Sequence, residues 1–142
     1  VSGPNAQQAG CVVDTGIDAL GIGRVAELLE RRPGALDRLL RSEEQAGLAD
    51  LAHPQARAAS IAGRIAVKEA AMKTLQGGIW DLGFLNFEIV GGRRLPPRLV
   101  LHDRAAARAK ELGIDEVKVS LSHEGDVAVA MATAVRFCSC NP

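Results

Sequence analysis

Ala62-Gly63-Arg64-Ile65-Ala66-Val67-Lys68-Glu69-Ala70-Ala71-Met72-Lys73 reads as one long helix that is apolar on several sides and still carries four charges. A helix of that composition belongs near the centre of a domain. Charges in such a place need partners or ligands, because an unpaired buried charge is expensive. At about 100° per residue, Arg57, Arg64 and Lys68 fall on nearly one line, while Glu69 and Lys73 lie roughly 140° around from Arg64. The helix therefore carries two charged stripes.

Working outward, Pro54 suits a first helical turn, and the periodic pattern runs to about Leu75 before Gly77-Gly78 stops it. Upstream, Cys11 to Ile17 reads as a strand ending in Gly16-Ile17-Asp18, which puts the Asp18 carboxylate at a strand-to-helix junction. Ile22, Val25, Ala26, Leu28 and Leu29 then take helical spacing. Leu36, Leu39 and Leu40 suggest a short helix, and Ser42-Glu43-Glu44-Gln45 has the capping-box form that begins another. Downstream, Phe84 to Val90 and Arg98 to Leu101 read as a hairpin across Gly91-Gly92-Arg93-Arg94-Leu95-Pro96-Pro97. Asp103 is placed to cap a helix that Gly113 ends. Val117 to Ser122 and Val127 to Val135 form a last strand pair around Glu124-Gly125-Asp126. Ala128, Ala130, Ala132 and Ala134 share one side of the last strand, which lets a helix or a neighbouring subunit approach closely. The expected fold class is α+β, a mainly antiparallel sheet packed on a long central helix. The expected organisation is a flexible leader over residues 1–10, a single domain over 11–136 and a tail over 137–142.

The chain has 142 residues, enough for one real core. Basic and acidic residues number 17 each and aromatics are 3%, so neither a nucleic-acid partner nor a base-stacking platform is expected. Apolar runs are too short to span a membrane, and a basic segment followed by an apolar core is lacking at the N-terminus; the expected location is cytoplasmic. Cys11 lies in a strand-like run and Cys138 and Cys140 in the tail, which reads as three reduced thiols rather than a disulfide framework.

Glu69 and Lys73 stand four apart in the order that forms a helix-supporting ion pair. Their functional reading is a carboxylate that holds a hard cation beside an ammonium that neutralises phosphate, the division of labour phosphoryl transfer requires. Asp18 alone reads as a helix cap. Taken with Glu69 it makes two carboxylates from separate elements, a set that suits Mg²⁺ when phosphate oxygens and waters complete the shell. His123 closes the strand Val119-Ser120-Leu121-Ser122 as a solvated imidazole or, helped by the neighbouring hydroxyls, as a donor to phosphate.

Three segments together resemble the holo-acyl-carrier-protein synthases, the small trimer-forming 4′-phosphopantetheinyl transferases. They are Gly16-Ile17-Asp18, the helix Gly63 to Lys73, and Val119-Ser120-Leu121-Ser122-His123-Glu124-Gly125-Asp126, in the family's order and spacing over about Cys11 to Val135. The resemblance implies the 4′-phosphopantetheinyl transferase fold. It also implies Mg²⁺-dependent transfer of the 4′-phosphopantetheine arm from coenzyme A to a serine of an apo acyl carrier protein, with release of 3′,5′-ADP. Carriers of fatty-acid, polyketide and peptide synthesis all remain open.

Carried over by position, Asp18 and Glu69 hold the metal and Lys73 stabilises the phosphoryl group or the leaving diphosphate. Arg64, Lys68, Ser122 and His123 lie near the nucleotide and its phosphates, as does Pro96 in the hairpin. Arg24 meets the acidic recognition helix of the carrier, and Arg31 extends that surface. The base is either Glu69 acting through a metal-linked water or a water activated by the metal. In such homotrimers the active sites lie between subunits. The chain departs from the family pattern at Gly21, where many relatives have an acidic residue, and at Arg94-Leu95-Pro96-Pro97, where relatives often have Gly-x-Pro. These departures motivate a second expectation, a coenzyme A-binding or scaffold homologue with impaired catalysis.

Overall fold

A computed structural model describes residues 9–138. Residues 1–8 of the expected leader and Ser139 to Pro142 of the expected tail, Cys140 included, lie outside the described residues.

Three long strands form one antiparallel sheet: β1 (Gly10–Gly21), β4 (Glu116–Glu124) and β5 (Val127–Phe137), in the order β1-β5-β4. A separate hairpin pairs β2 (Phe87–Val90) with β3 (Arg98–Leu101). The helices are α1 (Ile22–Arg31), α2 (Leu36–Leu39), α3 (Ser42–Ala46), α4 (Pro54–Thr74), α5 (Ile79–Leu82) and α6 (Asp103–Glu111). Among the described residues no helix is long and apolar enough to cross a membrane.

The 21-residue α4 lies across the sheet and is the hub of the fold. The alanine stripe of β5 works as its spacing implies: Ala128, Ala130, Ala132 and Ala134 are all buried on the helix side. Their small side chains let α4 approach the sheet, and Ala130, Ala132 and Ala134 fill one cluster with Ala66, Val67, Ala70, Leu75, Phe87 and Ile89. A second cluster joins the N-terminal half of α4 to α1 and α2 through Ile22, Val25, Leu36, Leu40, Ile61 and Ile65.

Several boundaries differ from the sequence expectation. Gly10 and Phe137 pair with each other, so both belong to the sheet rather than to leader and tail. The strand β1 continues three residues past Asp18, because the Leu20 side chain still has core to fill and pairing with β5 extends to Gly21–Val127. The capping box is displaced by one residue: Arg41 is the cap, and its N–H donates to Glu44 Oε2 at 2.9 Å. Phe84–Asn86 forms a 3-10 turn, so β2 starts only at Phe87. His102, not Asp103, holds the cap position of α6. Cys11 and Cys138, expected as reduced thiols, form no disulfide with each other and meet where the ends of β1 and β5 run side by side, with their sulfurs 2.7 Å apart.

Candidate active site at the contact of strand β1 with helix α4

Gly16 sets the distance between β1 and α4. A Cβ at that position would run into the backbone carbonyl of Ala70, so only glycine lets the strand lie directly on the helix. Two residues further on, on the same face of the strand, Asp18 arrives beside Glu69 and Lys73. Asp18 sits inside the strand, paired with Ala130, and does not cap a helix. The first turn of α1 is instead served from the β4–β5 turn. There Asp126 accepts from Gly23 N–H through Oδ1 at 3.0 Å and from Ile22 N–H through its backbone oxygen at 2.8 Å. Asp126 thus supplies a carboxylate at the helix start that follows Gly21.

Lys73 does not close the expected i,i+4 pair with Glu69. Its ammonium donates to the Ile17 carbonyl at 2.6 Å and to Asp18 Oδ1 at 3.2 Å. The other Asp18 oxygen, Oδ2, is buried with no hydrogen-bond partner among the described residues. Glu69 is half-buried, and its carboxyl is held above the usual carboxylate range, first by burial and then by the charge and hydrogen bonding of Asp18; Lys73 opposes the shift. Two carboxylates pressed together, one with an orphaned buried oxygen, make a site short of positive charge. Their hard oxygen donors fit Mg²⁺, which takes one or two protein carboxylates and fills its shell with waters and substrate phosphates. No cluster of three or more metal-ligating side chains exists among the described residues, so the protein by itself offers only part of a coordination shell.

Glu69 also lines a cleft of about 520 Å³, together with Arg24 and Arg31 of α1. The expected docking arginines and Glu69 thus share one groove. Arg64 and His123 meet in a second, smaller cleft of about 220 Å³ on another side of α4. Arg64 donates to Ser60 Oγ at 2.5 Å, while its Nε is buried without a partner among the described residues. Burial pulls its guanidinium below the ordinary value.

Three expected residues stand elsewhere. Lys68 is fully buried. It donates to Glu44 Oε2 at 2.7 Å and to the Leu39 carbonyl at 2.8 Å, so its ammonium has no surface left for a phosphate in this structure. Burial draws that ammonium below its usual range, against the attraction of Glu44. Ser122 pairs with Val129 and lies on the outer face of the sheet, opposite His123, because neighbouring strand residues alternate. Pro96 is exposed in the β2–β3 turn, apart from the Arg64–His123 cleft.

Glu44 was not visible as a functional partner in the sequence. It ties α3, α4 and β2 together by also accepting from Ile89 N–H at 3.1 Å. Its capping-box spacing was a signal for the helix start and not for Lys68, which stands 24 positions away.

Similarity to known proteins agrees with this fold. Residues 14–132 match the profile of the 4′-phosphopantetheinyl transferase superfamily. The holo-[acyl-carrier-protein] synthase of Moorella thermoacetica is 39% identical over 124 residues, covering 85% of this chain and 92% of that protein. The crystal structure of the holo-ACP-synthase from Plasmodium yoelii superposes with a TM-score of 0.81 at 25% identity, covering 92% of this chain and all (100%) of the other. The Helicobacter pylori holo-[acyl-carrier-protein] synthase in complex with coenzyme A gives a TM-score of 0.72 at 29% identity, covering 85% and 99%. With residues 14–132 matching the family and the synthases above matching over most of its length, the chain belongs to the 4′-phosphopantetheinyl transferase superfamily.

Proposed function

We propose that this chain transfers the 4′-phosphopantetheine arm of coenzyme A to a serine of an apo acyl carrier protein and releases 3′,5′-ADP. The observation that carries the reading is the Asp18–Glu69 pair with its orphaned Oδ2, of which Glu69 lines a cleft together with Arg24 and Arg31. The relatives are named for this activity, and the Helicobacter pylori structure is a coenzyme A complex.

Asp18 and Glu69 would hold Mg²⁺. Once bound, that ion draws charge from the equatorial and leaving oxygens of the diphosphate. Lys73 spends two of its three N–H donors on Ile17 and Asp18, which fixes the ammonium beside the carboxylates. The third donor serves the phosphoryl group or the leaving diphosphate, where a preorganised positive charge stabilises the transition state. The serine oxygen attacks the β-phosphorus, its proton passes to Glu69 through one water, and the bond to the α-side bridging oxygen breaks as 3′,5′-ADP leaves. Arg64, with its unsatisfied Nε, and His123 form a wall suited to the remaining phosphates.

The reading includes a homotrimer with active sites between subunits and a cytoplasmic setting. Support for assembly comes from the outer face of the sheet, where Ile17 and Met131, cross-strand neighbours, are 62% and 50% exposed. Val127 and Val129 continue that apolar strip. Ser122 lies on the same face, where it would meet a neighbouring subunit rather than its own His123.

Intact-mass measurement on a panel of apo carrier proteins, incubated with coenzyme A with and without Mg²⁺, tests the proposal. A gain of one phosphopantetheine arm that requires the metal supports it. Coenzyme A binding by calorimetry without a mass gain under any divalent ion would identify a scaffold homologue instead.

A further inference from the structure

The chain contains a single tryptophan, Trp80, and its side chain is 94% exposed. It does not sit on a loose loop. The one-turn α5 is pinned by Leu82, which is buried and plugs into the bend at Gly77, where a Cβ would come within 2.7 Å of Leu82 Cδ1. Leu82 N–H and Gly83 N–H donate to Gly78 and Ile79 carbonyls at 2.9 Å each, so the turn that presents the indole is closed on itself. A large aromatic held in water by a fixed turn is the kind of residue that anchors interfaces.

Its neighbour Ile79 lines the same cleft as Glu69, together with Leu28, and both are partly exposed. Arg24, Arg31 and Arg32 line the same cleft, against two lining acids, Glu27 and Glu69. The lining is therefore apolar with a net positive charge, three arginines against two glutamates, and it includes Glu69 of the carboxylate pair. It lies on the helix side of the sheet, away from the Ile17–Met131 face. A lipid surface matches apolar and basic groups but has no protruding hydroxyl to send down a cleft to Glu69.

We propose that Trp80 is a docking anchor for the carrier protein: an acidic partner seats its apolar side chains on the indole and Ile79 while its carboxylates meet the α1 arginines. The inference rests on the carrier-protein reading above and adds to it a residue outside the carboxylate site.

Trp80, as the only tryptophan, reports its own docking. Titrating the full chain with an apo acyl carrier protein should shift its emission to the blue and saturate. Trp80→Ala should raise KM for the carrier about tenfold, with kcat and KM for coenzyme A within about twofold of the parent, and Trp80→Phe should recover most of the loss. Because the side chain is solvated, neither variant threatens the fold. Unshifted emission with an unchanged carrier KM, while the mass gain proceeds, overturns the anchor and leaves the transferase reading standing. A saturable shift without any mass gain keeps the docking surface and removes the transfer reading. Emission that is already blue in the free protein, or that moves only with anionic phosphatidylserine vesicles, assigns Trp80 to a second copy or to a lipid surface and overturns the proposal.

Discussion

On one side of α4, Lys68 is fully buried and its ammonium is taken up by Glu44 and the Leu39 carbonyl. On the other, Lys73 keeps 54% of its side chain in solvent, and the carboxylates beside it keep one buried oxygen without a partner. The two lysines lie on the same helix, five positions apart, and the sequence offers both as phosphate ligands. Tertiary contacts separate them. Where the fold supplies three hydrogen-bonding routes to one glutamate, the charge becomes a fastening between α3, α4 and β2. Where it leaves like charges together, one of them lining a cleft, the charge is available for chemistry.

The sharpest way to break this contrast is to remove one member from each side. Glu69→Ala should lower the transfer rate by about 10³-fold or more, the scale expected when a group that stabilises transition-state charge is lost, while the thermal midpoint holds or rises. Retained activity would strike Glu69 from the metal set. Lys68→Ala should do the reverse. It leaves Glu44 as a buried carboxylate without its cation, a change that costs about 3–5 kcal/mol. In a domain of this size that lowers the thermal midpoint by roughly 10–20 °C. Below that midpoint, transfer should persist at a rate close to the parent's. A Lys68→Ala protein that melts normally but has lost affinity for coenzyme A would return Lys68 to the nucleotide site.

The contrast also marks how far the sequence could be read. The long helix, the alanine face of β5 and the order of strands and helices follow from local periodicity, and all appear in the structure. So does the meeting of Asp18 with Glu69, which the sequence offered as two carboxylates from separate elements suited to one cation. The partners of the two lysines were not legible. Glu44 and Lys68 are 24 positions apart, and Lys73 and Asp18 are 55 apart. No periodicity encodes which distant carboxylate a lysine will reach. Ser122 shows a different limit: adjacency to His123 suggested a shared site, whereas the strand pleat sends the two to opposite faces. Asp126 shows a third, since a residue in a hairpin turn gave no sign that it would close the start of α1.

The smallest expected effect concerns the stability of the metal-free protein, since Glu69 remains partly solvated and water screens its interactions. Its carboxyl titrates above the ordinary value of 4.5 in the fold, because burial and Asp18 disfavour the ionised form. Below pH 4.5 the group is protonated in both states and exerts no penalty. As pH rises from there, the unfolded chain releases the proton first, the native state binds more protons than the unfolded one, and stability falls until the folded carboxyl has also ionised. Glu69→Gln removes this term. In a chelating buffer the Gln variant should therefore match the parent near pH 4 and be the more stable of the two at neutral pH, as read from denaturant midpoints. Mg²⁺ at neutral pH should then stabilise the parent and leave the Gln variant nearly unchanged, since only the parent can pair the cation with both carboxylates. A Gln variant that is less stable than the parent at neutral pH without metal would mean that Glu69 is held by attraction, as Lys68 is, and the two sides of α4 would no longer differ in kind.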